Sequence, residues 1–277
     1  MRSLNGLQFY FLRFRPYYNN GYYLTLTVKV AYCSRSDIGR YRKINQDRYV
    51  EVQRPWGYLF AVADGFGHRE GGQFASQTVI DLLKSRFAQQ EPHSLQTFLS
   101  STLDTANRII YQRKISAFHN AMLGTTCVVL TIRSEQAFYA HIGDSRIYFF
   151  HRGKGRQLTH DHSRAQQLVD MGLITPKEAE THPQKNILTK AIGVDFVIDC
   201  DYPERPLKLS PEDKFLLCSD GFWGLVPEEQ FTPVVLDNPP SEAVPILIDM
   251  ALQNGGYDNI TVQVITIGDS PNGENPD

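Results

Sequence analysis

The chain has 277 residues with 28 basic and 30 acidic side chains, a net charge of −2. A chain of this length can bury about three-quarters of its unfolded surface, and its balanced charge lacks the basic stripe of a nucleic-acid surface. Its four cysteines, Cys33, Cys127, Cys200 and Cys218, contain no C-x-x-C pair, which argues against a zinc or redox motif and for free thiols in the reducing cytoplasm.

Residues 1–23 mix aromatic and basic side chains. Arg13 and Arg15 interrupt the apolar residues, so the segment has neither the core of a secretion signal nor the length of a membrane span. It reads as an N-terminal extension ahead of one domain over residues 24–268, with a polar, disordered tail at 269–277. A β-branched strand is expected over Tyr23–Tyr32 and a continuous apolar strand over Tyr58–Ala63. Two helices follow. Ala75, Val79, Leu82, Leu83 and Phe87 share a face in residues 73–90. Leu95, Leu99, Leu103, Ala106 and Ile110 do so in residues 94–116, with Ser94 as N-cap. GTTCVVLTIR, QAFYAHIG and RIYFFHR, from Gly124 to Arg152, read as an antiparallel meander. A helix is expected at Ser163–Met171, and a shorter one opened by Thr175 and Pro176. KFLLCSD and ITVQVITI are the last two strands. Helices set among antiparallel strands define a layered α+β fold.

Of five notable aspartates, four fall at the edge of an apolar strand. Asp64 follows Leu59–Ala63, Asp144 follows FYAHIG, Asp220 follows FLLCS, Asp258 precedes NITVQVITI and Asp47 follows RKINQ. The glycines after Asp64 carry no Gly-Lys-Thr or G-x-G-x-x-G, so a nucleotide loop does not fit. Taken singly, these are ordinary turn aspartates. Brought together they would form a negative pocket that a hard divalent cation, Mg²⁺ or Mn²⁺, resolves.

The chain carries, in order, SDIGRYRKINQD at 36–47, VADGFG at 62–67, GTT at 124–126, HIGDSRIY at 141–148, LTHDHS at 158–163, NILTKAIG at 186–193, CSDGFWG at 218–224 and DNIT at 258–261. With these ordered motifs it resembles the metal-dependent serine/threonine protein phosphatases of the 2C type, in their compact bacterial form. The resemblance implies a four-layer α-β-β-α sandwich, two antiparallel sheets with helices on both outer faces. It implies two tightly bound Mn²⁺ or Mg²⁺ ions bridged by Asp64, with the Gly65 carbonyl oxygen and with Asp220 and Asp258 completing their shells. Asp144 matches the ligand of a weaker third ion beside Asp220. Arg42 matches the arginine that grips the substrate phosphate, and Asp47 an outer acid that orders metal-bound water. Residues 161–193 match the flap beside the site. A metal-bridging hydroxide then attacks phosphorus in line with the departing serine or threonine oxygen, and the planar fork of Arg42 holds the phosphoryl oxygens.

Three positions depart from many relatives. Gln46 stands where they carry glutamate, Phe66 where a histidine acts as general acid, and His68 where glycine is usual. His68 is either a displaced acid or an exposed loop residue, with metal-bound water donating in its place. His160 and His162 read as hydrogen-bonding residues at the start of the flap, and Trp223 as packing. The implied function is hydrolysis of phosphoserine and phosphothreonine in proteins phosphorylated by a serine/threonine kinase. The alternatives are a catalytically weak or dead binding scaffold and a hydrolase of small phosphoesters. Retention of Asp64, Asp220 and Asp258 favours the active enzyme over the scaffold.

Overall fold

The computed structural model describes residues 18–19, 22–23, 28–67, 70–117, 119 and 122–268. Most of the N-terminal extension, His68 and the tail from residue 269 lie outside them. In chain order the strands are β1 (Tyr18–Asn19), β2 (Tyr22–Tyr23), β3 (Val30–Asp37), β4 (Asp47–Arg54) and β5 (Gly57–Gly67), followed by β6 (Leu123–Thr125), β7 (Cys127–Arg133), β8 (Gln136–Ile142), β9 (Arg146–His151) and β10 (Lys154–Gln157). Then come β11 (Leu207–Lys208), β12 (Lys214–Cys218) and β13 (Ile260–Ile267). The helices are α1 (Gly71–Gln89), α2 (Leu95–Ala117), α3 (Arg164–Asp170), α4 (Pro176–Glu180), α5 (Asp220–Trp223), α6 (Glu228–Asp237) and α7 (Pro240–Gln253).

Two antiparallel sheets form the centre. The first has the order β11-β8-β7-β5-β4 with β6 paired to the end of β5, and the second the order β10-β9-β12-β13-β3. Their central strands, such as β5, β7 and β12, are apolar on both faces because both faces are covered. In β5, Phe60 and Val62 point into the layer between the sheets, where they meet Phe149 of β9, Phe215 and Leu217 of β12, and Ile265 of β13. The alternate residues Leu59, Ala61 and Ala63 point outward to Val79, Leu83 and Phe87 of α1 and Leu103 of α2. The second sheet repeats the pattern. Leu216, Val262 and Val264 face outward to Phe231 of α6 and Val244, Leu247 and Ile248 of α7. The α-β-β-α sandwich expected from the resemblance is the observed fold.

Ser94 caps α2 by accepting from the Thr97 N–H (3.2 Å). Thr175 and Glu178 close a capping box on α4. Two expectations need correction. Gly124–Arg152 is not one meander: β7 pairs with β8, but the chain then crosses at Gly143–Ser145 and β9 joins the second sheet. A strand buried on both faces reads alike in either sheet, so its pattern carries no address. The first long strand runs over Val30–Asp37, later than Tyr23–Tyr32, because its partner is β13, from Ile260↔Asp37 to Ile267↔Val30. Helices α6 and α7 went unread. Pro233 and Pro245 stand inside them and break a pattern that Ala243, Val244, Leu247, Ile248 and Ala251 otherwise display. Among the described residues, no helix is long and apolar enough to cross a membrane.

Candidate active site

The site lies at one end of the seam between the sheets. Asp47 opens β4 and stands directly opposite Asp64 of β5 in the register. Facing carboxylates at this spacing repel, so their surroundings must differ. Asp47 is 1 % exposed. Its Oδ2 accepts from Ser219 Oγ (2.8 Å) and Thr261 Oγ1 (2.7 Å), groups that belong to the opposite sheet. Burial pushes its carboxyl up to about 6, with the Thr261 and Ser219 hydroxyls opposing.

The strand does not stop before Asp64 and give way to a turn. β5 continues through Asp64 to Gly67, exchanging β7 for β6 as its partner. At the exchange the Asp64 N–H donates to Thr126 Oγ1 (3.0 Å), and its carbonyl accepts from the Thr126 N–H (2.9 Å) and Thr125 Oγ1 (2.9 Å). The carboxyl is thereby freed from any backbone duty. Gly65 must be glycine for a reason of space: a Cβ there would fall 2.1 Å from the Gly72 carbonyl oxygen and 2.8 Å from that of Gln46. The chain bearing Asp64 is wedged between the start of α1 and the Gln46 backbone.

Asp220 is the first residue of α5, and Asp258 lies two residues before β13. Asp258 Oδ2 accepts from an Arg42 guanidinium nitrogen at 2.6 Å. Asp144 is 3 % exposed in the crossing turn. Burial, followed by the charges of Asp47, Asp220 and Asp144, raises the Asp64 carboxyl well above the usual range. Burial and then Asp220 and Asp161 do the same to Asp144. Burial and then Asp258 raise Asp220.

Arg42, Gln46, Asp64, Gly65, Asp144, Asp220 and Asp258 line a single cavity of about 580 Å³, with Asp47 beneath it and His68 outside the described residues. Phe66 lines the cavity too and offers no proton. Gln46 acts through its backbone: its N–H donates to Asn259 Oδ1 (2.8 Å), and its carbonyl accepts from the Gly65 N–H (3.3 Å) and Ser76 Oγ (2.6 Å).

Sequence reading assigned no role to the residues that hold these acids. Asn259 also donates to the Ile38 (2.9 Å) and Ile44 (3.2 Å) carbonyls, fixing the loop that presents Arg42. The Trp223 indole N–H donates to the Asp144 carbonyl (2.9 Å), and the Arg146 guanidinium lies 3.5 Å from the centre of its ring. Asp161 grips Arg146 at 2.7 Å and 3.0 Å. The signal was their position: each sits inside a motif quoted for its aspartates.

The donor set suits a divalent cation. It consists of oxygens alone, as hard cations prefer. Asp47 Oδ1 and Asp220 Oδ1 are buried without a hydrogen-bond partner, and raised carboxyls are what crowded acids show when no cation offsets them. A second group, His141, His162 and Asp201, brings its ligating atoms within 4.8 Å of one another. Its two imidazoles stack at 4.8 Å and 14°. Nitrogen lone pairs lie in the ring plane, so parallel rings do not converge on one ion. His162 instead clamps the crossing turn, its N–H donating to the Gly143 carbonyl (2.9 Å) and its Nδ1 accepting from the Gly143 N–H (3.1 Å). Burial and the neighbouring His141 push His162 down to about 4, so it stays neutral.

The fold, the seam and the acids define a metal-dependent hydrolase, and the comparisons with known proteins agree. The family described as protein phosphatase 2C matches residues 40–238. Protein phosphatase PhpP of Streptococcus pneumoniae serotype 2 is 35 % identical over 240 residues, covering 84 % of this chain and 96 % of the relative. The crystal structure of the Mycobacterium tuberculosis serine/threonine phosphatase PstP/Ppp superposes with a TM-score of 0.80 at 32 % identity, covering 87 % of this chain and 99 % of that one. A catalytic domain of PstP in complex with two manganese ions gives a TM-score of 0.78 at 31 % identity, covering 88 % and 100 %. The chain belongs to the protein phosphatase 2C family, among its bacterial serine/threonine phosphatases.

Proposed function

We propose that this phosphatase removes phosphate from phosphoserine and phosphothreonine in cytoplasmic proteins that a serine/threonine kinase has modified. The observation that carries the reading is the convergence of Asp64, Asp144, Asp220, Asp258 and Arg42 on one cavity. The complete acid set supports an active enzyme over a scaffold. Four free cysteines support a reducing compartment. The catalytic domain is taken as residues 24–268, with the flap over 161–193.

Asp64, the Gly65 carbonyl, Asp220 and Asp258 would hold two Mn²⁺ or Mg²⁺ ions, and Asp144 with Asp220 a weaker third. Such cations supply Lewis acidity that eases deprotonation of water and draws charge from phosphoryl oxygens. Arg42 binds the substrate phosphate through the donors left free by Asp258, its charge secured by that carboxylate. Asp47 Oδ1, buried and unpartnered, is placed to hold a proton beside Asp64. Phe66 keeps water from one wall of the cavity. The leaving alkoxide needs a proton, and His68 remains a candidate for it.

The test is hydrolysis of a phosphothreonine peptide after chelation, with and without added Mn²⁺. The expected result is activity with Mn²⁺ and none in excess EDTA. Full activity in EDTA would overturn the reading.

A further inference from the structure

The acids account for only the floor of the catalytic cavity. Much of its wall is apolar and comes from two segments far apart in the chain. Met122 precedes β6, Ile187 lies on the flap, and Val194 follows it. Their exposures are 78 %, 51 % and 37 %. A single exposed apolar side chain is unremarkable in any protein. Three that converge on a catalytic cavity from two distant segments form a surface. At about 580 Å³ the cavity has the size of sites that enclose a drug-sized ligand. It has room for a phosphorylated residue together with a neighbour.

The wall is also held in place before any ligand arrives. Asn107, 1 % exposed on α2, donates to the carbonyls of Asp195 and Phe196 (both 3.0 Å) and accepts from the Gly193 N–H (2.7 Å). Lys114 Nζ donates to the Val194 carbonyl (2.6 Å). On the flap, the Ile187 carbonyl accepts from the Arg164 N–H (2.8 Å). Preformed surfaces lose little freedom on binding. Among the residues that line the cavity the one lysine is Lys190, and it is already held by Asp199 (2.9 Å) and Asp201 (3.6 Å). The wall therefore offers a ligand apolar area and no uncommitted lysine.

We propose that Met122, Ile187 and Val194 form a specificity wall that selects phosphoproteins with an aliphatic residue beside the phosphorylated threonine or serine. The inference rests on the phosphatase reading, which places the phosphate over the acids and so lays the adjoining peptide against this wall. Burying one leucine side chain there favours binding by about tenfold or more over a serine.

Two phosphothreonine peptides decide it, identical except that leucine in one is replaced by serine in the other at the positions flanking phosphothreonine. The readout is the ratio of their kcat/KM values within one enzyme, so it does not depend on how much of a preparation is active. The wild type is expected to prefer the leucine peptide by about tenfold, chiefly through KM. Ile187→Ser with Val194→Ser is expected to bring the ratio close to one. A wild-type ratio near one overturns the wall, and so does a preference that survives in the double variant. Failure to hydrolyse either peptide or nitrophenyl phosphate in Mn²⁺ would instead bring down the phosphatase reading, and this inference with it.

Discussion

At the scale of single residues, the site is defined by which group each acid answers to. Asp64 feels the charges of Asp47, Asp144 and Asp220, whereas Arg42 is hydrogen-bonded to Asp258. Asp64→Asn should therefore abolish both Mn²⁺ binding and turnover. Arg42→Ala should mainly raise KM and leave Mn²⁺ affinity nearly intact. Calorimetric titration with Mn²⁺ separates the two, and equal loss of metal affinity in both variants would contradict these roles. The raised carboxyls give a second expectation. Asp47, Asp64, Asp144 and Asp220 hold protons more firmly than free aspartate, so an entering cation must displace them. Mn²⁺ affinity should be lower at pH 6 than at pH 7. An affinity equal at both values would refute it. For stability in EDTA the sign is the opposite. The folded value of Asp47 lies above its unfolded one, so its protonated form stabilises the fold at low pH and that contribution is lost as pH rises through about 6. Asp47→Asn should flatten the decline of Tm across that window. A slope identical to the wild type's would show that Asp47 does not titrate there.

At the scale of elements, the turn between β8 and β9 carries the site's most dependent residue. Asp144 is placed by the Trp223 indole, on which Arg146 lies, and Arg146 is gripped by Asp161 just ahead of α3. Trp223→Phe keeps a ring under Arg146 and removes only the N–H. The lost hydrogen bond is worth about 1 kcal/mol. The expected result is a several-fold rise in the Mn²⁺ concentration for half-maximal activity, with KM for a phosphopeptide unchanged. A change in KM alone would assign Trp223 to substrate contact instead. Helix α7 is structural by comparison. Leu247 of α7 is fully buried against β13 and α6, so Leu247→Ala should cost about 2–5 kcal/mol in urea denaturation. A cost below about 1 kcal/mol would mean that Leu247 is not tightly packed in solution.

At the scale of the whole molecule, what the sequence made legible was local. Asp64, Asp144, Asp220 and Asp258 stood out because a charge at the edge of an apolar run is physically conspicuous, and the ordered motifs placed them in a family. The helix starts at Ser94 and Thr175 were legible because capping is a matter of neighbours a few residues apart. Partnership was not legible. Nothing in RIYFFHR says which sheet it joins, since both its faces are buried in either case. Nothing in INQDRY says that Asp47 will be held by hydroxyls of Ser219 and Thr261 more than 170 positions away. Nothing in VADGFG says that the atoms that forbid a side chain at Gly65 are the carbonyl oxygens of Gly72 and Gln46. These are properties of assembly, and the site exists only where the two sheets meet.

The pairing of β3 with β13 has a further consequence. Val30 and Ile267 are register partners, and the Gly268 N–H donates to the Lys29 carbonyl at 2.8 Å. The domain's first and last strands thus lie side by side, and its chain is a ring opened at a single joint. The place where a ring is cut can be moved. A loop of about four residues is enough to join Gly268 to Lys29, as in an ordinary hairpin. The exposed bend at Arg152–Gly153, where a Cβ on Gly153 would meet nothing within 4 Å, can supply the new ends. A circular permutant cut there should fold, bind Mn²⁺ and hydrolyse phosphopeptide at close to the wild-type rate. An unfolded or metal-blind permutant would show that the order in which the strands are made, and not only their final contacts, is needed to build the site.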